Sequence, residues 1–410
     1  MGMIINIDEA VKQRTHYNVL REPLNRMLQD QQEAWERDNP IDLLFNRNTI
    51  STFQETYTSS IGFAHAFAET SDFNVGPIFN TAEGFSATYR TRTFQGGFII
   101  TQQTLEDGQM GKVRDDASAF VKRWHGDIVE YAITAISGGF GEKVTWGSDA
   151  NGGKSYLKLE AADTTDGDIT TGSKNPLFYK EHNIVKREDM TTDEFNAGKQ
   201  SNLFYADIEI GGSDPGQIAK LADYINQVIT IMENYKDDNG KIAGVHGEKT
   251  IVTGNDARLN AAIDAALSMD MLQGAPNVAY KRAVHKSSPY LNIINQCMNG
   301  NGFFIIDKSY NASNHGPEFT ERIPFTLKVN NLTRPDGVSY DGRQRFDINV
   351  ASWRGIVYCY LGTPSTTATD WNHSSKFTTI NVIDTLVKPV SIVGTVETQT
   401  VTTPEGTPEA

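Results

Sequence analysis

The clearest pattern in this chain is a helical stripe between Val113 and Ile136. Apolar residues recur there every three or four positions, the spacing that places side chains on one face of an α-helix, and charged residues fill the other faces. The stripe comprises Val113, Ala117, Phe120, Val121, Trp124, Ile128, Tyr131, Ala132, Ala135 and Ile136. We expect a rod of about 38 Å, ended by Gly138-Gly139.

Extended segments precede this helix. Phe94–Thr101 is rich in aromatic and β-branched residues, which favours a strand, and the polar turn Leu105–Gly108 separates it from the helix. Residues 49–103 are rich in Thr, Phe, Gly and Ser and alternate in polarity, as expected of a long two-stranded excursion. Because a lone two-stranded ribbon is marginal in water, we expect it to pair with a neighbouring chain or to lie across it.

The middle of the chain alternates helix and strand signals, which predicts α+β architecture with helices packed beside a mixed sheet. Asp214-Pro215 is expected to begin a helix whose apolar stripe runs from Ile218 to Met232, and a second helix is expected over Asp256–Met269. Strands are predicted at Thr250–Gly254, Leu291–Asn295, Phe303–Asp307, Phe325–Leu332 and Phe346–Leu361.

Three polar regions flank these elements. Residues 1–48 have helix-compatible stretches but too few apolar side chains for a core of their own, so this arm must rest on something else. Residues 140–212 are rich in Gly, Thr and Asp, which predicts a surface insertion. Residues 363–410 are dominated by Thr, Ser, Val and Pro and are expected to be disordered in a free monomer.

Bulk composition narrows the class of protein. With 410 residues the chain can form two or three domains or one elaborated fold. Mean hydropathy is −0.43, and no apolar run reaches the roughly 18 residues of a membrane span. The first residues carry no basic leader or long apolar run, which argues against a secretion signal. Cys297 and Cys359 lie in apolar, strand-like surroundings and are expected to be reduced core thiols.

The net charge of −14 limits what the chain binds. Tight sequence-independent binding of nucleic acid needs clustered Lys and Arg, and no basic stripe is visible in the sequence. An acidic wall can still enclose DNA, because repulsion keeps the polymer from adhering to it.

Motifs for catalysis, cofactors and metals are incomplete, so we assign no catalytic, cofactor-binding or metal residue. No Gly-x-Ser-x-Gly nucleophile motif is present. His246-Gly-Glu248 lacks the cysteine half of a zinc deaminase, and Gly138–Gly141 lacks the Lys of a phosphate loop and is better explained as a helix stop. Asp163–Asp168 lacks the glutamate of a calcium loop. His125 lies within the long helix, where we expect a surface or interface role.

The order of these parts resembles the major capsid protein of tailed bacteriophages, the Hong Kong 97-type fold. In that family the extended loop leads through a motif similar to Ile-Ser-Arg-Glu-x-Leu-x-Asp-Ser into a spine helix. This chain keeps Ile100, Leu105 and Asp107, has Thr101 in place of Ser, and departs at Gln103 and Gly108. Ile251–Asp256 resembles the entry to the axial domain, Gly302–Tyr310 resembles a later strand of that domain, and Arg343–Leu361 looks like the returning peripheral-domain strand.

The resemblance implies an α+β, Hong Kong 97-like capsid fold with an N-terminal arm, an extended β loop, a peripheral domain with the spine helix, and an axial domain. The implied divisions are an arm (1–48), the extended loop and its base (49–104), the elbow and spine helix (105–139), a surface insertion (140–212), a mainly axial domain (213–322), returning peripheral strands (323–362) and a C-terminal arm (363–410).

The function implied is self-assembly, through hexamers and pentamers, into an icosahedral phage head around double-stranded DNA, without sequence-specific DNA binding, cofactor, enzyme activity or membrane. The chain would reside in the virion after assembly in the host cytoplasm, with a separate scaffolding protein and a portal as partners. The extended loop would reach across an adjacent subunit, with Arg90 and Arg92 free to pair with acids there. The candidate subunit contacts are Trp35, Phe63, Phe79, Phe85, Tyr89, Arg90 and Arg92.

Some members of the family join subunits through a Lys-Asn isopeptide bond from the loop. No lysine lies between Lys12 and Lys112 here, so we expect no such bond. Two alternatives stay open. An encapsulin-like bacterial compartment shares the fold class, although chain length, insertion and tail favour a virus. An α+β enzyme or carbohydrate-binding module would instead be a monomer or small oligomer with a distinct pocket.

Overall fold

The structure is a computed structural model of the whole chain. It describes residues 30, 33, 35, 39–60, 83–101, 103–104, 110–141, 143–148, 154–160, 175–185, 190–210, 215–272, 274–333, 336–367 and 370–382. The predicted elbow at Leu105–Gly108, the acidic turn Asp163–Asp168 and residues 383–410 lie outside the described residues, as does most of the N-terminal arm.

Helices and strands are mixed along the described chain, which confirms the α+β class. The helices are α1 (Met110–Ser137), α2 (Thr192–Ala197), α3 (Pro215–Glu233), α4 (Ala257–Ser268), α5 (Asn292–Cys297) and α6 (Lys308–Ser313). The strands are β1 (Asn46–Thr49), β2 (Gln54–Ser60), β3 (Glu83–Arg90), β4 (Arg92–Thr101), β5 (Lys143–Ser148), β6 (Lys154–Glu160), β7 (Leu203–Ala206), β8 (Lys249–Thr253), β9 (Met271–Leu272), β10 (Ala275–Pro276), β11 (Ala283–Ser287), β12 (Asn301–Asp307), β13 (Glu318–Thr333), β14 (Asp336–Asn349), β15 (Ile356–Leu361) and β16 (Thr378–Thr379).

A four-stranded sheet packs against the long helix α1. Its strand order is β1-β13-β14-β4, with β13, β14 and β4 antiparallel and β1 parallel to β13. Alternate residues of β4 face the helix, so that Phe98 lies 5.1 Å from Phe120 and Phe94 lies 5.0 Å from Tyr131, measured between ring centroids. The helix has 28 residues, which corresponds to a rod of about 42 Å.

The predicted end of this helix is confirmed. A 3-10 turn over Gly138–Phe140 follows α1, and Gly141 has a φ of 80°. That left-handed conformation is one that glycine adopts without steric cost, which explains why the glycine-rich segment ends a helix here.

A six-stranded sheet forms the centre of the main core. Its order is β11-β8-β12-β15-β7-β16, and every residue of β15 is buried. Helix α3 packs against this core through the predicted stripe, in which Leu221, Ile225 and Met232 have no exposed surface. Helix α4 begins at an N-cap, since the carboxylate of Asp256 accepts hydrogen bonds from the amides of Arg258 and Leu259.

The prediction of a strand at Leu291–Asn295 is wrong. Pro289 begins a 3-10 turn that continues into α5, and the buried residues Leu291, Ile294 and Met298 repeat at helical spacing. A short apolar run fits either element, and the proline at the first turn decides for the helix here. Cys297 therefore lies in a helix and is half-buried, whereas Cys359 is fully buried in β15.

The predicted strand Phe346–Leu361 is two strands in different sheets. β14 ends at Asn349 in the four-stranded sheet, and β15 begins at Ile356 in the six-stranded sheet, after a turn at Arg354-Gly355. The assignment of 323–362 to peripheral strands is therefore wrong for β15. Because the residues on both sides of the turn are apolar, the sequence does not show where the first strand ends and the second begins.

The prediction that residues 140–212 form a surface insertion is wrong for the part after residue 174. Leu177 and Phe178 are buried, and β7 pairs with β15 inside the six-stranded sheet. The proposed C-terminal arm also begins too early, because Phe377 and Ile380 are buried and β16 adds to the edge of β7. Both segments depend on partners distant in sequence, which local composition does not reveal.

His182 illustrates how completely this region is buried. Its ring stacks on Trp353 at 4.1 Å, and its Nε2 lies 3.0 Å from Oδ1 of Asn202. The exposed fraction of the residue is 0%. Burial lowers the pKa of His182 from 6.5 to about 3, because an imidazolium would lose its hydration there.

We predict that this histidine makes the fold acid-sensitive. The unfolded chain takes up the proton near pH 6.5 and the folded chain only near pH 3, so the free energy of unfolding falls as pH drops between these values. The loss approaches about 1.4 kcal/mol per pH unit. His182→Phe keeps a ring against Trp353 but cannot titrate. In urea unfolding at several pH values, the free energy of unfolding should therefore fall more steeply with decreasing pH in the wild type than in the variant, where Asp307 with its lowered pKa still contributes a slope. Equal slopes would contradict the assignment.

Candidate functional site

The sequence analysis predicts that contacts between subunits involve an extended two-stranded segment. In the structure this segment contains β2 and β3 (residues 54–60 and 83–90), which together we call the ribbon. The strands are antiparallel, with Gln54 opposite Arg90 and Ser60 opposite Glu83. Both strands lie within residues 49–103, for which the sequence predicts a two-stranded excursion. A single residue, Thr91, separates β3 from β4, which pairs with β14 and belongs to the four-stranded sheet. The predicted long excursion is confirmed for these strands, and residues 61–82 lie outside the described part.

An aromatic cluster joins the base of the ribbon to the body of the protein. The ring of Tyr57 lies 4.7 Å from that of Tyr89 and 4.1 Å from that of His315. Tyr89 is 1% exposed, and its hydroxyl donates a hydrogen bond of 3.3 Å to the carbonyl oxygen of His315. Of the ribbon residues whose exposure the structure describes, Tyr89 alone is buried. The ribbon is therefore attached at its base and exposed beyond it.

The backbone at His315 is arranged to receive this contact. His315 has a φ of 51°, in the left-handed region that a side chain occupies at some steric cost. In that conformation its carbonyl oxygen accepts the amides of Ala351 and Ser352 in addition to the hydroxyl of Tyr89. These three hydrogen bonds to the carbonyl oxygen of His315 offset the steric cost of its left-handed backbone conformation.

A polar network lies next to the rings. Glu318 is buried and accepts a hydrogen bond of 2.7 Å from Nδ2 of Asn48, and its other oxygen lies 3.2 Å from Nδ1 of His315. The Tyr57 hydroxyl donates to Glu55 at 2.8 Å. Burial raises the pKa of Glu318, and its hydrogen bond to Asn48 and the nearby His315 oppose that rise. Because Nδ2 of Asn48 also donates to the Tyr57 hydroxyl at 3.4 Å, the network ties β1, β13 and the ribbon together.

A cleft of about 460 Å³ separates the ribbon from the body beside this cluster. Thr58, Ser59 and Phe85 line its ribbon side, and Trp353 and Arg354 line its body side. Arg354 donates to Asp238 at 3.1 Å and its guanidinium carbon lies 5.1 Å from the centroid of the Trp353 ring. The body-side wall is thus held by its own ion pair and ring contact.

The predicted contact residues separate into three groups. Tyr89 packs on its own chain and is almost fully buried, so the prediction that it contacts a neighbouring subunit is wrong. The prediction that Arg92 is free is also wrong, because its Nε donates to Asp347 at 2.9 Å. Arg90 is exposed and Phe85 half-exposed, so their contact with a neighbour stays a prediction. Phe63 and Phe79 lie outside the described residues.

Trp35 connects the N-terminal arm to the long helix. Its ring stacks on that of His125 at 4.5 Å with an interplanar angle of 5°. Of the two roles expected for His125, the surface role is wrong, since the residue is buried under Trp35, and the interface role stays a prediction. The expectation that the arm rests on another element is confirmed at this contact, and any additional contact of Trp35 with a neighbour stays a prediction.

Within the described residues, the remaining motifs do not assemble into a chemical site. His246 and Glu248 are exposed in the loop before β8. Among the described residues, no group of three or more His, Cys, Asp or Glu side chains is close enough to hold a metal ion. Of the helices in the described part of the chain, none combines the length and apolar character of a membrane span. His315, Glu318 and Asn48 were not identified from sequence, where the only signal is the turn-forming His315-Gly316-Pro317.

Solved structures with a similar arrangement come from phages and related particles. A chain of the satellite phage P4 procapsid is 12% identical with a TM-score of 0.38, and the match covers 92% of this chain and 94% of that one. A chain of the cyanophage Pam1 capsid is 11% identical with a TM-score of 0.38, covering 78% and 88%. A chain of the virus-like particle from Pyrococcus furiosus is 10% identical with a TM-score of 0.37, covering 82% and 98%. No protein-family model and no curated protein matches the chain.

We predict that the aromatic cluster holds the ribbon in place. Tyr89→Ala removes the one buried ring and should destabilise the fold by about 3–5 kcal/mol. It should also increase hydrogen exchange in β2 and β3 more than in β8 or β12. Tyr89→Phe keeps the ring and loses only the bond to His315, so a loss of about 1 kcal/mol is expected. If the alanine variant left exchange in the ribbon strands unchanged, the cluster would not be the anchor.

Proposed function

We propose that this chain is the major capsid protein of a tailed bacteriophage and assembles into an icosahedral shell around double-stranded DNA. The observation that carries the proposal is the ribbon. A two-stranded ribbon with a single buried side chain among its described residues is not stable by its own packing, and a neighbouring copy offers the surface that would cover it.

Assembly physics supports a closed shell of many copies. A standard protein contact buries roughly 1,200–2,000 Å², and each subunit of a shell makes several such contacts, so modest pairwise affinities combine through multivalency. A weak single contact also permits a misplaced subunit to leave. The ribbon is exposed beyond Tyr89 in its described residues, as such contacts require.

The negative charge of the chain supports the proposal that the shell encloses DNA without binding it tightly. At a net charge of −14, the wall repels phosphate and does not hold it by sequence-independent contacts. The shell would consist of hexamers and pentamers, with a separate scaffolding protein and a portal as partners. It would assemble in the host cytoplasm and remain in the virion as a structural component without catalytic activity.

The proposal is tested by the size of the assembled species. Expressed protein should elute from size-exclusion chromatography far ahead of a 45.4 kDa monomer and show closed particles in negative stain. A compact monomer at high concentration, with the ribbon folded on its own body, would overturn the proposal. Particles isolated from their natural source should contain nuclease-protected DNA, whereas particles filled with an enzyme would indicate an encapsulin-like compartment.

We also predict that the shell is not covalently crosslinked through the extended loop. No lysine lies between residues 12 and 112, so no amine is available there for an isopeptide bond to an asparagine. Boiled particles should run as one band at the monomer mass on a denaturing gel. A ladder of multiples, with a crosslinked peptide from residues 49–104 in mass spectrometry, would contradict the prediction.

A further inference from the structure

The six-stranded sheet has two edges, formed by β11 and β16. β11 is parallel to β8, β12 is antiparallel to both β8 and β15, and β7 and β16 are parallel to β15. The two edge strands therefore run in the same direction. A second copy placed beside the first without reversal would bring its β11 next to β16 of the first, and such a head-to-tail contact repeats from copy to copy.

The edge at β11 is open. Among the described residues, β8 is the only strand that pairs with β11, and the backbone groups on the other side of β11 bond to no other backbone group. Val284 and Lys286 lie two positions apart, on the same side of the strand, and both are exposed. A row of unpaired N–H and C=O groups is a template on which another strand can pair.

Apolar side chains are exposed beside this edge. Of the eight large apolar side chains that are exposed among the described residues, five lie within residues 269–284. Asn277 donates to the carbonyl oxygen of Met269 at 2.7 Å, and the amide of Lys281 donates to that of Leu267 at 3.0 Å, so this segment folds back on the end of α4 before it enters β11. Such a concentration of exposed apolar side chains marks a surface that contacts a partner. The five are Met269, Met271, Val278, Tyr280 and Val284.

The opposite edge leads into a segment whose composition favours a strand. The amide of Ile380, directly after β16, donates to the carbonyl oxygen of Tyr205, and the chain continues as residues 383–410. Within that stretch, residues 390–403, which we call the tail segment, contain ten Val, Ile or Thr among fourteen residues and no proline. A segment this rich in β-branched residues pairs as a strand where an edge is available to it.

Reach favours the edge of a second copy over the chain's own β11. From β16 to β11 in one chain there are five strand spacings, about 24 Å. Residues 383–389 connect β16 to the tail segment and span at most about 25 Å when fully extended. They cannot follow the straight line, because it passes through the intervening strands. The β11 of a copy set edge to edge lies beside β16 and is within easy reach.

Charge is also complementary between the two segments. Glu397 is the only ionisable residue of the tail segment. Lys286 is the only lysine or arginine of β11, and His285 beside it already bonds to Asp264 at 2.7 Å. One carboxylate on the incoming strand thus matches one exposed amine on the receiving strand, and cross-strand neighbours of opposite charge stabilise a pairing.

We infer that β11, together with the exposed apolar side chains of residues 269–284, receives the tail segment 390–403 of a second copy of this chain as an added strand. The inference rests on the proposed function and adds to it a contact made by the C-terminal arm. Backbone hydrogen bonds would hold the strand, its Val and Ile side chains would cover the apolar surface, and Glu397 would lie near Lys286. The tail segment would become ordered only when this edge is supplied to it.

The wild-type protein permits a direct test, because the two charged residues can be joined to each other. Chains labelled with ¹⁴N and ¹⁵N are mixed before assembly, and the particles are treated with a carbodiimide, which condenses a carboxylate and a contacting amine to an amide with loss of water. We expect crosslinked peptides of mixed isotope that join Lys286 to Glu397. Lys241, exposed in the loop before β8, is the control and should not link to Glu397.

Three results of this experiment would overturn the inference. Lys286 could link only to carboxylates elsewhere, it could form no link, or its links to Glu397 could all be of single isotope. The last result would place the tail segment on its own chain.

Hydrogen exchange provides the second measurement. Assembly should slow exchange at least tenfold in residues 283–287 and 390–403, relative to unassembled chains. T398P/V401P removes amides that point to opposite edges of the added strand, so one of them faces β11 in either register. This variant should lose the slowing at residues 283–287 or fail to form particles. The matched control G406P/T407P places two prolines beyond the tail segment and should behave as the wild type.

Circular dichroism and the urea midpoint of the unassembled chain should stay near the wild type in both variants, because neither pair of substitutions touches the described core. Equal behaviour of the two variants, or particles in which exchange at residues 283–287 is not slowed, would overturn the inference while leaving the proposed function intact. Wild-type chains that never assemble would overturn the proposed function, and this inference with it.

Discussion

One long helix can cover only one face of a sheet, and this limit shapes the whole molecule. The stripe of α1 lies against the inward residues of β4, β13 and β14, where Trp124 contacts Phe325 and donates a hydrogen bond to Gln344. The opposite face has no second helix among the described elements and keeps Ile99 half-exposed. A layered domain normally buries both faces of such a sheet or solvates one with polar residues. The face away from α1 follows the second course in part, because Thr93, Gln95 and Asp341 on it are polar and exposed.

The direction of the ribbon follows from the same sheet. β3 and β4 form one nearly continuous extended run, and Thr91 between them is buried. Asn349 bonds the backbone of Arg90 at both its amide and its carbonyl, so the last residue of the ribbon is fixed to the end of β14. The hydroxyl of Tyr89 donates a hydrogen bond to the carbonyl oxygen of His315, which lies just before the start of β13. β4 and β14 therefore also set the direction in which the ribbon leaves the body.

Elements with strong local periodicity could be predicted from sequence, and those that depend on distant partners could not. The stripes of α1 and α3 identify their helices because each repeats over many turns. Leu291–Met298 is too short to distinguish strand from helix, and the apolar residues on both sides of Trp353 conceal the turn between β14 and β15. Leu177 and Phe178 look like isolated apolar residues in a polar stretch, because the core that buries them is formed by residues far along the chain. No sequence pattern identified His315 as a contact of the ribbon. Its role depends on its backbone conformation and on its contacts with Tyr57, Tyr89 and Glu318.

The net charge of the chain bears on both parts of the proposed function. Under that proposal, a wall with a net charge of −14 per subunit encloses DNA without adhering to it, because it repels phosphate. The same net charge opposes the approach of one copy to another. Contacts between copies would therefore depend on the burial of apolar surface and on local pairs of opposite charge, which act at short range where the net repulsion is screened by salt.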